Sequence, residues 1–197
     1  ALMEIPSNDD TIIIHLSSAG ADLSHIKQLK SNRDELGLFN YSKQIGEIFQ
    51  QISELTQPTV GVAHDYVYGG ALGVLLACDL CYATKETRFC LPEISRGILP
   101  AQILYYLNQR LSPKKSLAIL AESQVFSPQK ALEWQLIDQV FLDQAQAIDF
   151  IKTLSINQNH AFSHTKKQQA TLTQAMPETY IEQAALSFSK QLLELES

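Results

Sequence analysis

Two short apolar runs, each followed at once by a glycine-containing turn, constrain the fold of this chain more than any other feature. Residues 11–16 (TIIIHL) and 59–63 (TVGVA) are rich in β-branched side chains, which is typical of buried parallel strands. The first run leads into small residues at 17–23 (SSAGADL). The second leads into a turn at 66–73 (YVYGGALG), which opens into an apolar helix at 74–78. The repeated order of strand, turn and helix predicts an α/β fold.

The rest of the chain is predicted to be mainly helical after residue 101, so we expect a helical C-terminal portion. Further strands are predicted at 79–84 and 87–89, a loop at 92–99, and helices at 41–55, 102–110, 113–121, 128–134, 145–154 and 177–195. Ser112 and Ser127 each precede a proline, the typical pattern of an N-cap followed by Pro at the first helical position. We divide the chain into a core at 1–142 and a C-terminal helical region at 143–197.

The composition excludes several classes of protein. The 197 residues are 45% hydrophobic and 18% charged, as in an ordinary globular unit with one core. The formal net charge is -6 and no basic run is interleaved with aromatic residues, so nucleic acid is not expected as a partner. No apolar stretch reaches the roughly 18–20 residues that span a bilayer, so we expect no membrane segment.

The three cysteines, Cys78, Cys81 and Cys90, lie in apolar surroundings. An odd number of such residues indicates reduced core thiols and a cytoplasmic location rather than a disulfide framework. Cys78 and Cys81 also form a C-x-x-C pair. A structural zinc site needs about four ligands, usually from two such pairs, and the sequence has no second pair, so we expect no metal.

Chemistry is suggested by the two turns and by Glu93. A helix N-terminus presents N–H groups without partners, and two of them aimed at one point would stabilise an oxyanion. Glu93 lies in LPEI at 91–94 among apolar neighbours, which should raise its pKa and suit it to acid/base work near neutral pH. Taken one at a time, glycine turns more often serve close packing, and a Glu beside a proline is more often solvated.

Together these segments resemble the enoyl-CoA hydratase/isomerase (crotonase) superfamily. The motifs that carry the resemblance lie at 18–23 (SAGADL), 58–84, 88–101 and 126–141, so that it extends from about Thr11 to Phe141. It implies the ClpP/crotonase-like spiral fold of ββα units with a helical C-terminal portion. It also implies homotrimers, often paired into hexamers, in which C-terminal helices cover the active site.

The resemblance assigns roles to individual residues. It implies that the backbone N–H groups of Ala21 and Gly70 form an oxyanion hole and that Glu93 is the acid/base. The family's hydratases use two glutamates, and the first of these positions is Gly73 here. Other residues implied to contact substrate are Ala19, Asp22, Leu23, His64, Tyr66, Tyr68 and Gly69. His64 or Tyr68 is an alternative to Glu93 as the group that delivers the proton to the leaving hydroxyl. A histidine at the end of a buried strand is more often a packed core residue, and the two tyrosines either line the acyl pocket or simply pack.

A single carboxylate is typical of the family's isomerases and of the dehydratases of polyketide β-branching. The latter are similar to this chain at Gly73, at Pro100-Ala101 and in the stretch from Trp134 to Asp138. This implies dehydration of a 3-hydroxyacyl thioester, such as a 3-hydroxy-3-methylglutaryl group. The thioester would be borne by coenzyme A or by the phosphopantetheine of an acyl carrier protein, with no other cofactor.

Other functions stay open at this point. They are enoyl-CoA isomerisation or hydration in fatty-acid metabolism, a catalytically degenerate thioester-binding or scaffold subunit, and a pure interaction domain. Family members usually have an N-terminal pair of strands and a longer loop before the turn at 18–23. The sequence has neither, so we expect an incomplete N-terminal part and a possible displacement of the first oxyanion donor, Ala21.

Overall fold

The protein has the predicted α/β architecture, and the residues that the structure describes form one six-stranded sheet. The computed structural model describes residues 2–4, 11–157, 161–172 and 178–194. The strands are β1 (Leu2–Glu4), β2 (Ile12–Ser18), β3 (Thr59–Tyr68), β4 (Leu80–Thr84), β5 (Arg88–Cys90) and β6 (Gln139–Phe141). The order is β1-β2-β3-β4-β6, and β5 also pairs with β3. Only β1, among the strands described, runs antiparallel to its neighbour.

Helices surround the sheet. They are α1 (Leu23–Ser31), α2 (Glu35–Glu54), α3 (Gly70–Leu76), α4 (Ala101–Arg110), α5 (Pro113–Glu122), α6 (Pro128–Glu133), α7 (Gln144–Thr153), α8 (Ala161–Leu172) and α9 (Glu178–Glu194). The predicted N-caps are confirmed, because the Ser112 and Ser127 side chains accept hydrogen bonds from backbone N–H groups of α5 and α6. None of the helices, over the described ranges, is both long and apolar enough to cross a membrane.

Several predicted boundaries were wrong. Helix α2 begins at Glu35 rather than at residue 41, because the Asp34 side chain caps it by accepting from the Gly37 N–H at 2.8 Å. The predicted turn at 66–73 is much shorter, because β3 continues to Tyr68 and α3 begins at Gly70. Strand β6 and helix α8 were not predicted. The predicted ends of the last helix, at 177 and 195, lie outside the described residues.

The N-terminal part departs from expectation in one respect. One strand, β1, does precede β2, and pairs with it from Leu2↔His15 to Glu4↔Ile13. Strand β2 then runs to Ser18 and passes directly into the turn before α1, without the longer loop that the resemblance implies.

Strand β3 contains a bulge that divides it into two halves. Leu16 of β2 pairs with Ala63, but Ser18 pairs with Val67, so β3 has two extra residues within this interval. Asp65 has a φ of +53° there. The first half of β3 pairs with β4 and the second with β5. The bulge therefore turns the residues around Asp65 out of the ladder, while the end of β3 is redirected toward α3.

The hydrophobic core is shared by the two regions into which we divided the chain. Ile181 of α9 belongs to the main core cluster beside the sheet. Phe188 of α9 packs in a second cluster with Ile26 of α1 and Leu38 of α2. Helix α9 thus covers α1 and α2, whereas the division at residue 142 itself stays a prediction.

Asp138, the last residue of the similar stretch at 134–138, has a structural role. Its carboxylate accepts from the Cys81 N–H at 2.7 Å and from the Arg110 guanidinium at 3.0 Å, joining α4, β4 and the segment before β6. Cys81 is a buried free thiol, as are Cys78 and Cys90, and burial raises the pKa of Cys81 to about 12. Over the described residues no group of His, Cys, Asp and Glu side chains is arranged to hold a metal ion.

Candidate active site

A cavity lies beside the first turn of α3. Its walls come from α1, α2, α4 and α9, from the turn before α1 and from the loop between β5 and α4. Most of the wall is apolar. The polar side chains on it belong to Tyr41, Ser42, Glu93, Arg96 and Gln102. The cavity has a volume of about 60 Å³. A larger cavity of about 320 Å³ adjoins it and shares Ala21 and Gly70 with it.

The turns that carry Ala21 and Gly70 touch each other at this cavity. Gly20 has a φ of +89°, and a Cβ built on it would lie 2.5 Å from the Tyr68 carbonyl oxygen and 3.1 Å from the Gly70 nitrogen. A Cβ on Gly70 would lie 3.9 Å from the Ala21 nitrogen. The absence of a side chain at Gly20 therefore lets two segments of main chain approach closely and brings the Ala21 and Gly70 nitrogens into one corner.

The N–H groups of Ala21 and Gly70 have no hydrogen-bond acceptor within the described part of the chain. Gly70 is the first residue of α3, where an N–H has no intrahelical partner. The neighbours of Ala21 are satisfied, because the Gly20 N–H donates to Ser18 Oγ at 3.1 Å and the Asp22 N–H donates to the Tyr41 hydroxyl at 2.8 Å. Two N–H groups without an acceptor among the described residues therefore lie close together beside the cavity.

Glu93 is fixed against the same corner. Its carbonyl accepts from the Arg96 and Ile98 N–H groups, which anchors the loop. A Cβ on Gly69 would lie 2.5 Å from Glu93 Oε1, so this carboxylate occupies space that only a glycine leaves open, at a φ of +52°. Glu93 Oε2 is buried without a hydrogen-bond partner among the described residues.

Burial raises the pKa of Glu93 to about 7, and the nearby Arg96 cation opposes this rise. Removal of the carboxylate from water disfavours its charged form, and its hydrogen bond with its own backbone N–H and the Arg96 cation compensate for this only in part. Glu93 can therefore both accept and donate a proton near neutral pH. This is the behaviour that its apolar sequence neighbours predicted.

The position of the family's other glutamate is filled by packing. A Cβ on Gly73 would lie 2.3 Å from Phe49 Cζ and 2.5 Å from Cε2, so the Phe49 ring rests on the main chain of α3. Phe49 is 1% exposed. Any side chain larger than hydrogen at residue 73 would have to displace this buried ring. Among the described residues, Glu93 is the one carboxylate on the cavity wall, where a two-glutamate hydratase has a pair.

The structure brings six of the predicted site residues onto the wall of one cavity. They are Ala19, Ala21, Leu23, Gly69, Gly70 and Glu93. Asp22 does not line it, because its side chain caps α1 by accepting from the Ser24 and His25 N–H groups. Helix capping is thus a structural alternative to its predicted role in substrate binding, although Asp22 does line the larger cavity that adjoins this one.

His64, Tyr66 and Tyr68 also lie off the cavity wall, because they belong to the bulged part of β3. His64 Nδ1 contacts Asp65 Oδ2 at 2.9 Å. Tyr66 is 46% exposed, and its ring packs against Tyr68 with 5.8 Å between centroids. The sequence did not reveal the bulge, and contacts between these side chains and substrate stay a prediction.

Four polar residues on the cavity wall were not predicted as site residues, namely Tyr41, Ser42, Arg96 and Gln102. Tyr41 holds the turn before α1 in place, while Ser42 and Gln102 are buried polar residues of α2 and α4. The sequence contains a signal for Gln102. Residues 102, 103, 106 and 107 have the spacing of one helix face, and the other three are large and apolar, so that the glutamine is predicted on the buried face.

The chain belongs to the enoyl-CoA hydratase/isomerase family, whose model matches residues 15–194. This confirms the resemblance seen in the motifs and extends it through the C-terminal helices. Among curated proteins it is similar to the "Probable enoyl-CoA hydratase" of Bacillus subtilis strain 168, at 29% identity over 153 residues, 74% of this chain and 57% of that protein. The chain thus spans little more than half of that relative's length.

Solved structures confirm the crotonase fold. The enoyl-CoA hydratase of Bacillus halodurans matches with a TM-score of 0.78 and 20% identity, over 96% of this chain and 78% of the other. A candidate polyketide-biosynthesis enoyl-CoA hydratase of Bacillus subtilis matches with a TM-score of 0.65 and 16% identity, over 98% and 94% of the two chains. At sequence identities of 20% and 16%, this structural similarity establishes the fold alone.

Proposed function

We propose that this protein dehydrates a 3-hydroxyacyl thioester through an enolate, with Glu93 as its only acid/base. The observation that carries the proposal is the cavity in which the adjacent, free N–H groups of Ala21 and Gly70 lie together with a buried carboxyl whose pKa is raised to about 7. Few other arrangements combine two main-chain donors with one proton carrier in an apolar chamber.

The reaction follows from this geometry. The thioester carbonyl oxygen accepts hydrogen bonds from the Ala21 and Gly70 N–H groups, which stabilise the negative charge that develops on it; comparable donors contribute about 3–4 kcal/mol each. The Glu93 carboxylate removes the proton from C2 to give the enolate. The C2–C3 double bond then forms as the C3–O bond breaks, and the hydroxyl leaves as water with the proton that Glu93 had taken. The carboxylate is regenerated without a second acid.

Gly73 favours the single-carboxylate members of the family, its isomerases and its polyketide β-branching dehydratases, over the two-glutamate hydratases. A hydratase with two glutamates divides the handling of its water between them, and the Phe49 ring occupies the space of one of them here. The similarity of residues 100–101 and 134–138 to polyketide β-branching dehydratases supports dehydration and a carrier-protein thioester. Isomerisation is the second candidate, since the family includes isomerases and one carboxylate suffices to move a proton along an allylic system. A homotrimer or hexamer, and a cytoplasmic location, are part of the proposal.

The test is a panel of thioesters on coenzyme A and on acyl carrier protein, assayed with the purified protein. We expect loss of water from 3-hydroxyacyl thioesters, detected by absorbance of the conjugated product and by mass. Conversion of 3-enoyl to 2-enoyl thioesters without any dehydration would replace the proposal by isomerisation. Binding of the thioesters without conversion of any member of the panel would favour a degenerate binding subunit.

The pH dependence of kcat/KM should report Glu93. Removal of the C2 proton requires the ionised carboxylate, so kcat/KM is expected to rise with pH. The midpoint of the rise should lie at about 7, the pKa to which burial raises Glu93. Arg96 lowers that pKa, so Arg96→Gln should move the midpoint to higher pH. A midpoint near the ordinary Glu value of about 4.3, or one that does not respond to Arg96→Gln, would contradict the assignment.

A further inference from the structure

Arg96 is the one basic residue, among those that the structure describes, on the wall of the cavity that contains Glu93. Its side chain is exposed to solvent and has no hydrogen-bond acceptor or ion-pair partner within the described ranges. By contrast, the guanidinium of Arg110 is paired with Asp138 at 3.0 Å. A guanidinium presents five N–H donors in a planar fork that matches a carboxylate or a phosphate. On the wall of a substrate cavity, such a group is suited to bind an anionic part of the ligand.

The local turn places Arg96 on the same side of the loop as Glu93. Residues Ile94–Arg96 form one turn of 3₁₀ helix, and Glu93 is its N-cap. Side chains three residues apart in a 3₁₀ helix eclipse each other, so the side chains of Glu93 and Arg96 project from one face. The guanidinium is near enough to lower the pKa of the Glu93 carboxyl, but it forms no hydrogen bond with Glu93 Oε2. Its donors therefore stay available beside the acid/base.

The main chain that carries Arg96 is held in place. The Arg96 N–H donates to the Glu93 carbonyl oxygen at 3.0 Å. The Gly97 N–H donates to the Ile94 carbonyl oxygen at 3.0 Å, and Gly97 ends the turn with a φ of +64°. The Gly97 carbonyl oxygen in turn accepts from Gln191 Nε2 of α9 at 2.9 Å. An anion can thus bind the guanidinium without the cost of ordering a loose loop.

The spacing along this turn limits where the anion can lie in the ligand. A 3₁₀ helix rises about 2 Å per residue, so Glu93 and Arg96 are about 6 Å apart along its axis. In the proposed reaction Glu93 reaches C2 of the acyl chain, and a group bound by Arg96 therefore follows C3 within a few bonds. The phosphates of the thioester carrier lie on the other side of the thioester, beyond the pantetheine arm. A carboxylate at the end of an acyl chain of about five or six carbons fits this spacing.

We infer that Arg96 binds a carboxylate at the far end of the acyl chain, and that the protein selects thioesters of dicarboxylic acids over those of plain alkyl acids. The carboxylate accepts two N–H groups of the guanidinium as a bidentate pair. Arg96 is a specificity-determining residue in this role and carries no proton of the reaction. The inference rests on the proposed function for the placement of the thioester, but its test measures binding and does not require turnover.

The test compares dissociation constants of glutaryl and adipyl pantetheine with those of the matching terminal amides, measured by calorimetry on the wild-type protein. None of these ligands has a 3-hydroxyl group to lose or a phosphate. At about pH 6 the Glu93 carboxyl, with its pKa of about 7, is mainly neutral, whereas the ligand carboxyl, which titrates like an ordinary Glu near about 4.3, is mainly charged. At least one acid should bind about tenfold tighter than its amide.

Replacement of Arg96 by Gln should reduce this preference to within about twofold, while binding of the amides changes little. Because the Arg96 side chain is exposed, we expect the variant to fold like the wild type. Arg88→Gln is the matched control. Arg88 of β5 is also exposed but does not line the cavity, so this variant should keep the full preference.

Equal affinity for each acid and its amide in the wild-type protein would overturn the inference. So would a preference that persists in Arg96→Gln, or one that Arg88→Gln loses as well. Coenzyme A thioesters of the same acyl groups distinguish a carboxylate from a phosphate. If Arg96→Gln weakens the acid and amide thioesters of coenzyme A alike and has no effect on the pantetheine thioesters, Arg96 binds a phosphate and the inference is wrong. Failure of catalysis in the thioester panel would remove the proposed reaction but would not change these binding results.

Discussion

Replacement of Glu93 by Gln should abolish turnover while the protein stays folded. The amide fills the same space over Gly69 but can neither accept the C2 proton nor return it to the leaving hydroxyl. With no second carboxylate at residue 73 to compensate, the loss of kcat should be at least about 10³-fold, within the range measured for acid/base groups. Glu86→Gln is the matched control, because the Glu86 side chain is 80% exposed and distant in role. Retention of more than a tenth of the activity by Glu93→Gln would remove this residue from the mechanism.

The same variant should be more stable than the wild type above neutral pH. Burial raises the pKa of Glu93 to about 7 in the folded protein, whereas a Glu in an unfolded chain titrates near about 4.3. Between these values the folded state binds more protons, so the free energy of unfolding falls as pH rises through about 7. Glutamine avoids this cost, which is on the order of 3 kcal/mol. Denaturant unfolding at about pH 5 and pH 8 should show an advantage of Glu93→Gln that grows with pH; an advantage at the lower pH alone would contradict the raised pKa.

Replacement of Gly20 by Ala should separate the two turns that carry the proposed oxyanion donors. The new Cβ would lie 2.5 Å from the Tyr68 carbonyl oxygen, and main chain cannot move aside as a flexible side chain can. With the added strain of a φ of +89°, the free energy of unfolding should fall by about 2–4 kcal/mol. Displacement of one donor should lower kcat by about 10²-fold or more.

Gly97→Ala serves as the comparison for this variant. Gly97 also has a positive φ, +64°, in the left-handed helical region, so its replacement measures the backbone strain alone. We expect Gly20→Ala to lose far more activity than Gly97→Ala when both are assayed well below their melting temperatures. Similar losses of activity in the two variants would mean that the contact between the turns does not position the donors.

The sequence predicted the parts of the site that local pattern determines. A β-branched run followed by a small-residue turn placed Ala21 and Gly70 at comparable points of two successive units, and apolar neighbours predicted the raised pKa of Glu93. These features depend on residues close together in the chain. The register between strands does not, and the two-residue bulge opposite Ser18 is invisible in a pattern of side chains. This is why Tyr66 and Tyr68 were assigned to a turn and lie in a strand.

Other features depend on partners far apart in sequence. From the sequence alone, Asp22 is compatible both with substrate binding and with helix capping. The cap becomes evident only from the position of α1, which begins at Leu23. Ser42 and Gln102, the buried polar residues of α2 and α4 on the cavity wall, are 60 positions apart in the chain. The hydrogen bond between their side chains cannot be predicted from composition. The early start of α2 was missed because Gly37 lowers helix propensity, while the cap from Asp34 compensates.

The Phe49 ring against Gly73 also limits how this protein can change its chemistry. A glutamate introduced at residue 73 alone would collide with a buried aromatic side chain before it could reach any water molecule. If Phe49 were instead replaced first by a smaller residue, a cavity would form in the core, and the protein would lose stability without any gain in activity. Conversion to a two-carboxylate catalyst therefore requires substitution of residues 49 and 73 together. Either single mutant should be less stable than both the present protein and the double mutant.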